Sequence, residues 1–188
     1  LGENPIVDNF PEVTVLFADL VGFTELSTRM AAAELIGSLN EIFTIFDELA
    51  ERHGLEKIKT VGDSYMAVGG LPTPRTDHAE AIAQMALDML DRIAKINSRK
   101  EHALSLRIGI HTGPVIAGVI GMRRFIYDLW GDTVNIASRM ESHGLPDCIQ
   151  VTETTRAMLS DKFVFEKRGR IKVKGKGEMI TYLLKGRI

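Results

Sequence analysis

The stretch Lys57-Ile-Lys-Thr-Val-Gly62-Asp63-Ser-Tyr-Met-Ala-Val68 reads as two short strands joined by two residues. Lys57–Val61 and Ser64–Val68 form the strands, and Gly62 at the first turn position suits a type II′ hairpin. Asp63 then sits on a tight turn. Upstream, Leu35, Leu39, Ile42, Phe46 and Leu49 recur at three-to-four spacing, an amphipathic helix that stops near His53-Gly54. Before it, Val13–Ala18 is an apolar, β-branched run of the kind found in buried strands, and it ends on Asp19. Downstream, Leu71-Pro-Thr-Pro is a loop and Ala79–Ile96 a second amphipathic helix, with Ile82, Ala86, Met89 and Ile93 on one side. Leu104–Ile110 is another strand. The order β-α-β-β-α-β is the ferredoxin-like pattern. The expected class is therefore α+β, a ferredoxin-like palm core with helices over one face of an antiparallel sheet and strand 1 at its centre.

Additional C-terminal strands and helices follow. Pro114–Ile120 and Arg124–Tyr127 read as strands, and Thr133–Ser142 as a helix with Asp132 as N-cap. Ile149–Thr152 is a strand, Glu153–Leu159 a short helix, and Phe163–Glu166, Ile171–Val173 and Ile180–Leu184 are strands. No repeat or linker interrupts the pattern. The 188 residues are expected to form one domain, with a core over about 13–185 and a lead-in over 1–12.

Composition narrows the function classes. A hydrophobic content of 45% with 26% charged residues is that of an ordinary globular protein, and a net charge of −2 offers no general attraction to nucleic acid. Cys148 is the only cysteine, which excludes an internal disulfide and fits a reducing, cytoplasmic setting. The longest apolar stretch, Val115–Met122, is far short of the ~20 residues a membrane helix needs, so no membrane contact by this segment is expected. A signal peptide is not expected. The chain opens on Leu1, as a piece of a longer protein would, leaving room for a preceding region that anchors or regulates it.

Asp19 and Asp63 are the first candidates for chemistry. A carboxylate at the end of an apolar strand is costly to bury without a partner. Two of them brought together at one sheet end repel unless a divalent cation lies between. Oxygen donors suit a hard cation such as Mg²⁺, and two carboxylates can hold a two-metal clamp. Equally, Asp19 can cap the following helix and Asp63 can simply make the turn; spacing alone leaves both readings standing. Asn135 and Arg139 are four apart on one helix face, showing an amide and a planar guanidinium together. Lys57 and Lys59 alternate around Ile58, which places both on one side of the sheet. Lys174 and Lys176 sit in a glycine-flanked turn that lacks phosphate-loop spacing. Each of these is also compatible with a solvated surface. His111 reads as structural, and no histidine or cysteine spacing argues for zinc.

Taken in order, Val15–Thr24, Lys57–Met66, Arg107–Val115, Tyr127–Met140 and Val173–Gly177 resemble the catalytic domain of class III nucleotidyl cyclases, in particular bacterial adenylate cyclases of the mycobacterial type. The resemblance covers almost the whole chain. It implies that Asp19, Asp63 and the backbone carbonyl of Leu20 bind two Mg²⁺ or Mn²⁺ ions. It implies further that Lys59 and Asp128 recognise adenine, Asn135 positions the ribose, Arg139 stabilises the transition state and Lys174 contacts the terminal phosphates, with Lys176 as a helper. Pro114 stands where some relatives carry an arginine, which removes one phosphate contact. The implied activity is conversion of ATP to 3′,5′-cyclic AMP and pyrophosphate at sites shared across a head-to-tail homodimer. Two alternatives accompany it: a guanylate or diguanylate cyclase on the same fold, and a catalytically silent nucleotide-binding dimerisation module.

Overall fold

The computed structural model describes residues 6–100, 102–121 and 123–188. Of the expected lead-in, residues 1–5 lie outside that set, as does Met122 at the end of the longest apolar stretch. Chain order is β1 (Val7–Val21), α1 (Phe23–Ser27), α2 (Ala32–Arg52), β2 (Glu56–Val61), β3 (Ser64–Gly69), α3 (His78–Asn97), β4 (Ser105–Ile120), β5 (Ile126–Trp130), α4 (Asp132–Ser142), β6 (Cys148–Thr152), α5 (Glu153–Leu159), β7 (Phe163–Val173) and β8 (Gly177–Arg187). One mixed sheet runs β2-β3-β1-β4-β6-β8-β7, and β5 pairs with the far half of β4. The first four strands are the antiparallel ferredoxin-like core with β1 central, as the element order predicts. Among the described residues no helix is long and apolar enough to cross a membrane.

Strand alternation splits the core in two. Leu16, Ala18 and Leu20 of β1 are buried beneath α2 and α3 with Ile42, Phe46, Ile82, Met89 and Ile93. Val13 and Val15 point the other way and pack with Met66, Val68, Leu129 and Ala137 of α4. Helices therefore cover both faces of the sheet, not one as the element order suggested. α4 reaches β4 because the strand is bare beneath it. A Cβ on Gly109 would lie 2.0 Å from the Glu141 backbone nitrogen, and one on Gly113 would lie 2.5 Å from Thr133 Oγ1. Thr133 and Glu141 are eight residues apart, about 12 Å of helix, and Gly109 and Gly113 span about 13 Å of strand. The helix thus lies antiparallel along β4 over its whole length.

Four sequence expectations about strand boundaries change here. The predicted strands Leu104–Ile110 and Pro114–Ile120 are one strand. Pro114 is carried within it because β1 bulges opposite: Phe10 pairs with Val115 and Val13 with Gly113, so Pro11 and Glu12 face Pro114 alone. A proline without an N–H is tolerated at such a break in the ladder. The predicted strands Phe163–Glu166 and Ile171–Val173 are likewise one edge strand, whose central Lys167-Arg168-Gly169-Arg170 is charged and bulged at Gly169. Charge is common on exposed sheet edges and hides the strand from an apolar pattern. The predicted strand Arg124–Tyr127 lies two to three residues later, at Ile126–Trp130, and β1 begins at Val7 inside the predicted lead-in.

A buried polar seam ties the sheet to α3 and α5. His78 Nε2 meets Glu12 at 3.1 Å and its Nδ1 meets Thr14 Oγ1 at 2.7 Å. Thr14 meets Thr112 at 2.9 Å, Thr112 meets Thr155 at 2.9 Å, and His111 Nδ1 meets Thr152 Oγ1 at 2.7 Å. Burial pushes the His111 imidazole down to about 4, so it stays neutral in the fold.

Gly109→Ala tests the α4 contact. Overpacking against helix backbone should cost about 3 kcal/mol, read as a lower urea midpoint with an unchanged slope. Gly186→Ala, whose Cβ meets open space, should stay within about 0.5 kcal/mol. Equal midpoints for the two variants would show that α4 can lift without loss.

Candidate active site

Asp19 belongs to the α4 face of β1, in phase with Val13, Val15 and Phe17. It pairs with Ser64 on one side and Arg107 on the other, and Asp63 immediately precedes Ser64 in the β2–β3 turn. The two aspartates therefore meet at one sheet end. Gly62 takes φ +59°, and among non-glycine described residues only Asp147 has positive φ, as a II′ turn requires. The hairpin is fixed from behind by Tyr65. Its ring stacks edge-on to Phe46 at 5.5 Å, and its hydroxyl donates to Asp47 of α2 at 2.8 Å.

The Asp19 carboxyl is pushed up to about 7. Burial is the largest cause, followed by the negative charge of Asp63 and then of Glu141, with Arg107 opposing them. Its Oδ1 is buried without a hydrogen-bond partner. The β3 ladder ends at Asp19–Ser64, one residue short of Leu20, so on that side the Leu20 backbone has no strand partner. An orphaned carboxylate oxygen, a second carboxylate beside it and free backbone form an oxygen donor set that fits Mg²⁺ or Mn²⁺. Among the described residues no three His, Cys, Asp or Glu side chains converge as a cation cage. Waters and substrate phosphates would complete the coordination, as is usual for Mg²⁺.

Lys59 and Asp128 come together from β2 and β5, Lys59 Nζ donating to Asp128 Oδ2 at 2.7 Å. Here the sequence expectation needs correction. Lys57 and Lys59 do not share a face: a bulge at Ile58 shifts the register, so Lys57 pairs with Ala67 and Lys59 with Met66. Ala67 belongs to the α2–α3 side and Met66 to the α4 side. Lys57 accordingly reaches Asp47 on α2 at 2.9 Å, while Lys59 reaches Asp128. The extra residue of a bulge breaks strict alternation.

Asn135 and Arg139 are exposed on α4, opposite the buried Thr133, Ala137 and Met140. They line a groove of about 630 Å³ whose other wall is the β7–β8 turn with Lys174. Val173 anchors that turn by packing against Ile136 and Met140. Lys176 forms an ion pair with Asp132. Asp132 is not the N-cap; Gly131, at φ +130°, holds that position without a side-chain cap bond. Pro114 lines a separate cavity with His111 and Trp130. A third cavity, of about 410 Å³ beneath α1, holds none of these residues.

The predicted residues thus fall into three groups within the single chain. Asp19 and Asp63 lie between the sheet and the C-terminal end of α4, Lys59 and Asp128 form a pair at the β2–β5 contact, and Asn135, Arg139 and Lys174 line the outer side of α4. Arg107 and Glu141 were missed, although both face Asp19. Arg107 Nη2 lies 3.7 Å from Asp19 Oδ2, and Arg107 Nε donates to Glu141 Oε1 at 3.0 Å. A signal was present in each case: an arginine in an apolar strand, and an acid in the last turn of a helix, against its dipole.

Comparison with known proteins adds independent findings. Residues 6–186 match the family model for the adenylate and guanylate cyclase catalytic domain. The chain is 52% identical over 184 residues to an adenylate cyclase of Mycobacterium tuberculosis, covering 98% of this chain and 42% of that protein. It is 45% identical over 186 residues to a membrane guanylyl cyclase of Dictyostelium discoideum, covering 97% and 12%. The catalytic core of a rhodopsin-guanylyl cyclase with converted specificity, solved with ATPαS, superposes with a TM-score of 0.92 at 38% identity, over 96% of this chain and 98% of that one. The chain spans less than half the length of both curated relatives.

The Asp19 carboxyl stays protonated in the fold up to about pH 7, while in the unfolded chain it ionises near pH 4. The folded state holds more protons between those values, so stability falls as pH rises through that window and stays low above it. Metal-free Asp19→Asn should therefore melt about 3 °C or more above the parent at pH 8, with the gap closing towards pH 4. Parallel melting curves at all pH values would refute the strain at Asp19.

Proposed function

Since this chain belongs to the adenylate and guanylate cyclase catalytic domain family, we propose that it converts ATP to 3′,5′-cyclic AMP and pyrophosphate, the whole of residues 1–188 acting as one catalytic domain. The observation that carries the choice of nucleotide is the Lys59–Asp128 pair at 2.7 Å. Lys59 has two donors left for adenine N1, and Asp128 has acceptor capacity left for the 6-amino group. Guanine presents N1–H and O6 instead, so both protein groups would face like partners and remain unpaired, which is the costly outcome. A related core with converted specificity holding ATPαS supports an ATP reading on this fold.

In the proposed reaction the ATP 3′-oxygen forms a bond to the α-phosphorus, the bond from that phosphorus to the bridging oxygen breaks, and the 3′-hydroxyl proton is lost to solvent. Asn135 orients the ribose so that the oxygen is held in line. Arg139 donates to the α-phosphate oxygens as negative charge builds there. Lys174 holds the terminal phosphates, a task made heavier by Pro114. Two divalent cations held by Asp19, Asp63 and the Leu20 carbonyl would lower the pKa of the 3′-hydroxyl and neutralise phosphate charge.

Helix α4 separates the aspartates from Asn135, Arg139 and Lys174, which supports a site completed by a second copy of the chain. In a two-fold head-to-tail dimer each protomer lends its aspartates to one site and its α4 groove to the other.

Purified protein with Mn²⁺ and nucleotide should form cyclic AMP with kcat/KM for ATP roughly 10² above that for GTP. Lys59→Glu/Asp128→Cys should reverse the preference while keeping turnover, and preferential cyclic GMP formation by the parent would overturn the base assignment. Asp63→Ala and Arg139→Ala should each lose about 10²–10³ in kcat. Mixed in equal amounts they should regain about a quarter of parental activity, because half the dimers then hold one intact site of two. No recovery on mixing, with dimers demonstrably exchanged, would place the whole site within one chain.

A further inference from the structure

We infer that Glu141 is a positioning residue that anchors the Arg107 guanidinium away from Asp19, keeping the Asp19 carboxylate free to receive a divalent cation. The inference rests on the reading of Asp19 as a cation ligand. Asp19 and Arg107 stand directly opposite in the β1–β4 ladder. Once Asp19 is ionised, opposite charges in that relation attract, and the backbone places nothing between them. Yet Nη2 stays 3.7 Å from Asp19 Oδ2, outside hydrogen-bond distance, while Nε donates to Glu141 Oε1 at 3.0 Å. The last turn of α4 sets this geometry. Glu141 holds Nε, and Gly144 leaves room for the stem, since a Cβ there would come within 3.0 Å of Arg107 Cγ.

Glu141 is a poor choice for its place on local grounds. An acid in a C-terminal turn opposes the helix dipole, and this one is only 9% exposed. A local rule broken at one buried position beside a charged site is where a functional role is expected. The physical role follows from competition. A guanidinium closed onto Asp19 would occupy the oxygens a cation needs and repel the cation itself. Held at its present distance, Arg107 steadies the carboxylate without neutralising it.

The test is Mn²⁺ binding by electron paramagnetic resonance on the full chain without nucleotide. Glu141→Gln removes the charge that holds Arg107 and so lets the guanidinium shift towards Asp19. Drawing a unit charge from 3.7 Å to about 2.8 Å at an effective dielectric near 20 should weaken Mn²⁺ binding roughly tenfold. Glu141→Gln/Arg107→Met removes the competitor and should bind Mn²⁺ at least as tightly as the parent. In Glu141→Gln the Mn²⁺ concentration for half-maximal rate should rise while kcat at saturating Mn²⁺ holds, a split that a purely structural role would not produce. If the single variant does not fold, Glu141→Asp, whose shorter reach loosens the same anchor, carries the prediction of weaker binding. Unchanged Mn²⁺ affinity in the single variant overturns the inference, as does a double variant no tighter than the single one. Asp19→Asn separates the two readings. If it loses Mn²⁺ while Glu141→Gln does not, this inference alone falls; if it binds Mn²⁺ like the parent, the Asp19 reading falls and takes the inference with it.

Discussion

The approach of α4 to the bare backbone of β4 is the constraint on which the rest depends. Without side chains at Gly109 and Gly113, the helix sits low enough for its own backbone to contact the strand. That depth brings Glu141 down to Arg107 and Asp19. It also turns Asn135 and Arg139 outward, towards the β7–β8 turn. One packing decision therefore sets both the electrostatics beneath the helix and the polar groove above it.

The acidic end of β1 illustrates how a fold retains an unfavourable arrangement. Asp19 is crowded by burial, by Asp63 and by Glu141, and one of its oxygens has no partner. The surrounding strand offsets this through apolar burial, with Leu16, Ala18 and Leu20 on one side and Val13 and Val15 on the other. The hairpin that carries Asp63 is likewise held by contacts remote from the charge, through Tyr65, Phe46 and Asp47. The crowding is confined to the carboxyls, and the contacts that hold them in place are apolar or fully hydrogen-bonded.

Much of this was legible in the residues alone. The βαββαβ core followed from two helices with strong three-to-four periodicity and a Gly-Asp turn between short strands. Asp19 and Asp63 met where that topology put them; that Lys59 and Asp128 act together came only from the family resemblance. Irregular backbone defeated the rest. Pro114 inside a strand is readable only once the opposing bulge at Pro11-Glu12 is known, because pairing across the sheet is a long-range fact. Arg107 and Glu141 escaped notice because the local oddity of each, a charge in an apolar strand and an acid in a last helical turn, points to nothing until the two are seen together. Their meaning lies in a contact between residues 34 apart.

The bulge at Ile58 has a wider consequence for how chains of this kind are compared. One additional residue in β2 carries the side chain of position 59 from the α2 side of the sheet to the side where Asp128 stands. If Lys59 and Asp128 read the base as proposed, base preference is written partly in backbone spacing. A lysine matched by string alignment in a chain lacking the bulge would be the same letter on the wrong side of the sheet. On that proposal selectivity in such a chain has to be judged from pairing register, and a single-residue deletion in β2 would turn Lys59 away from Asp128 without altering either side chain.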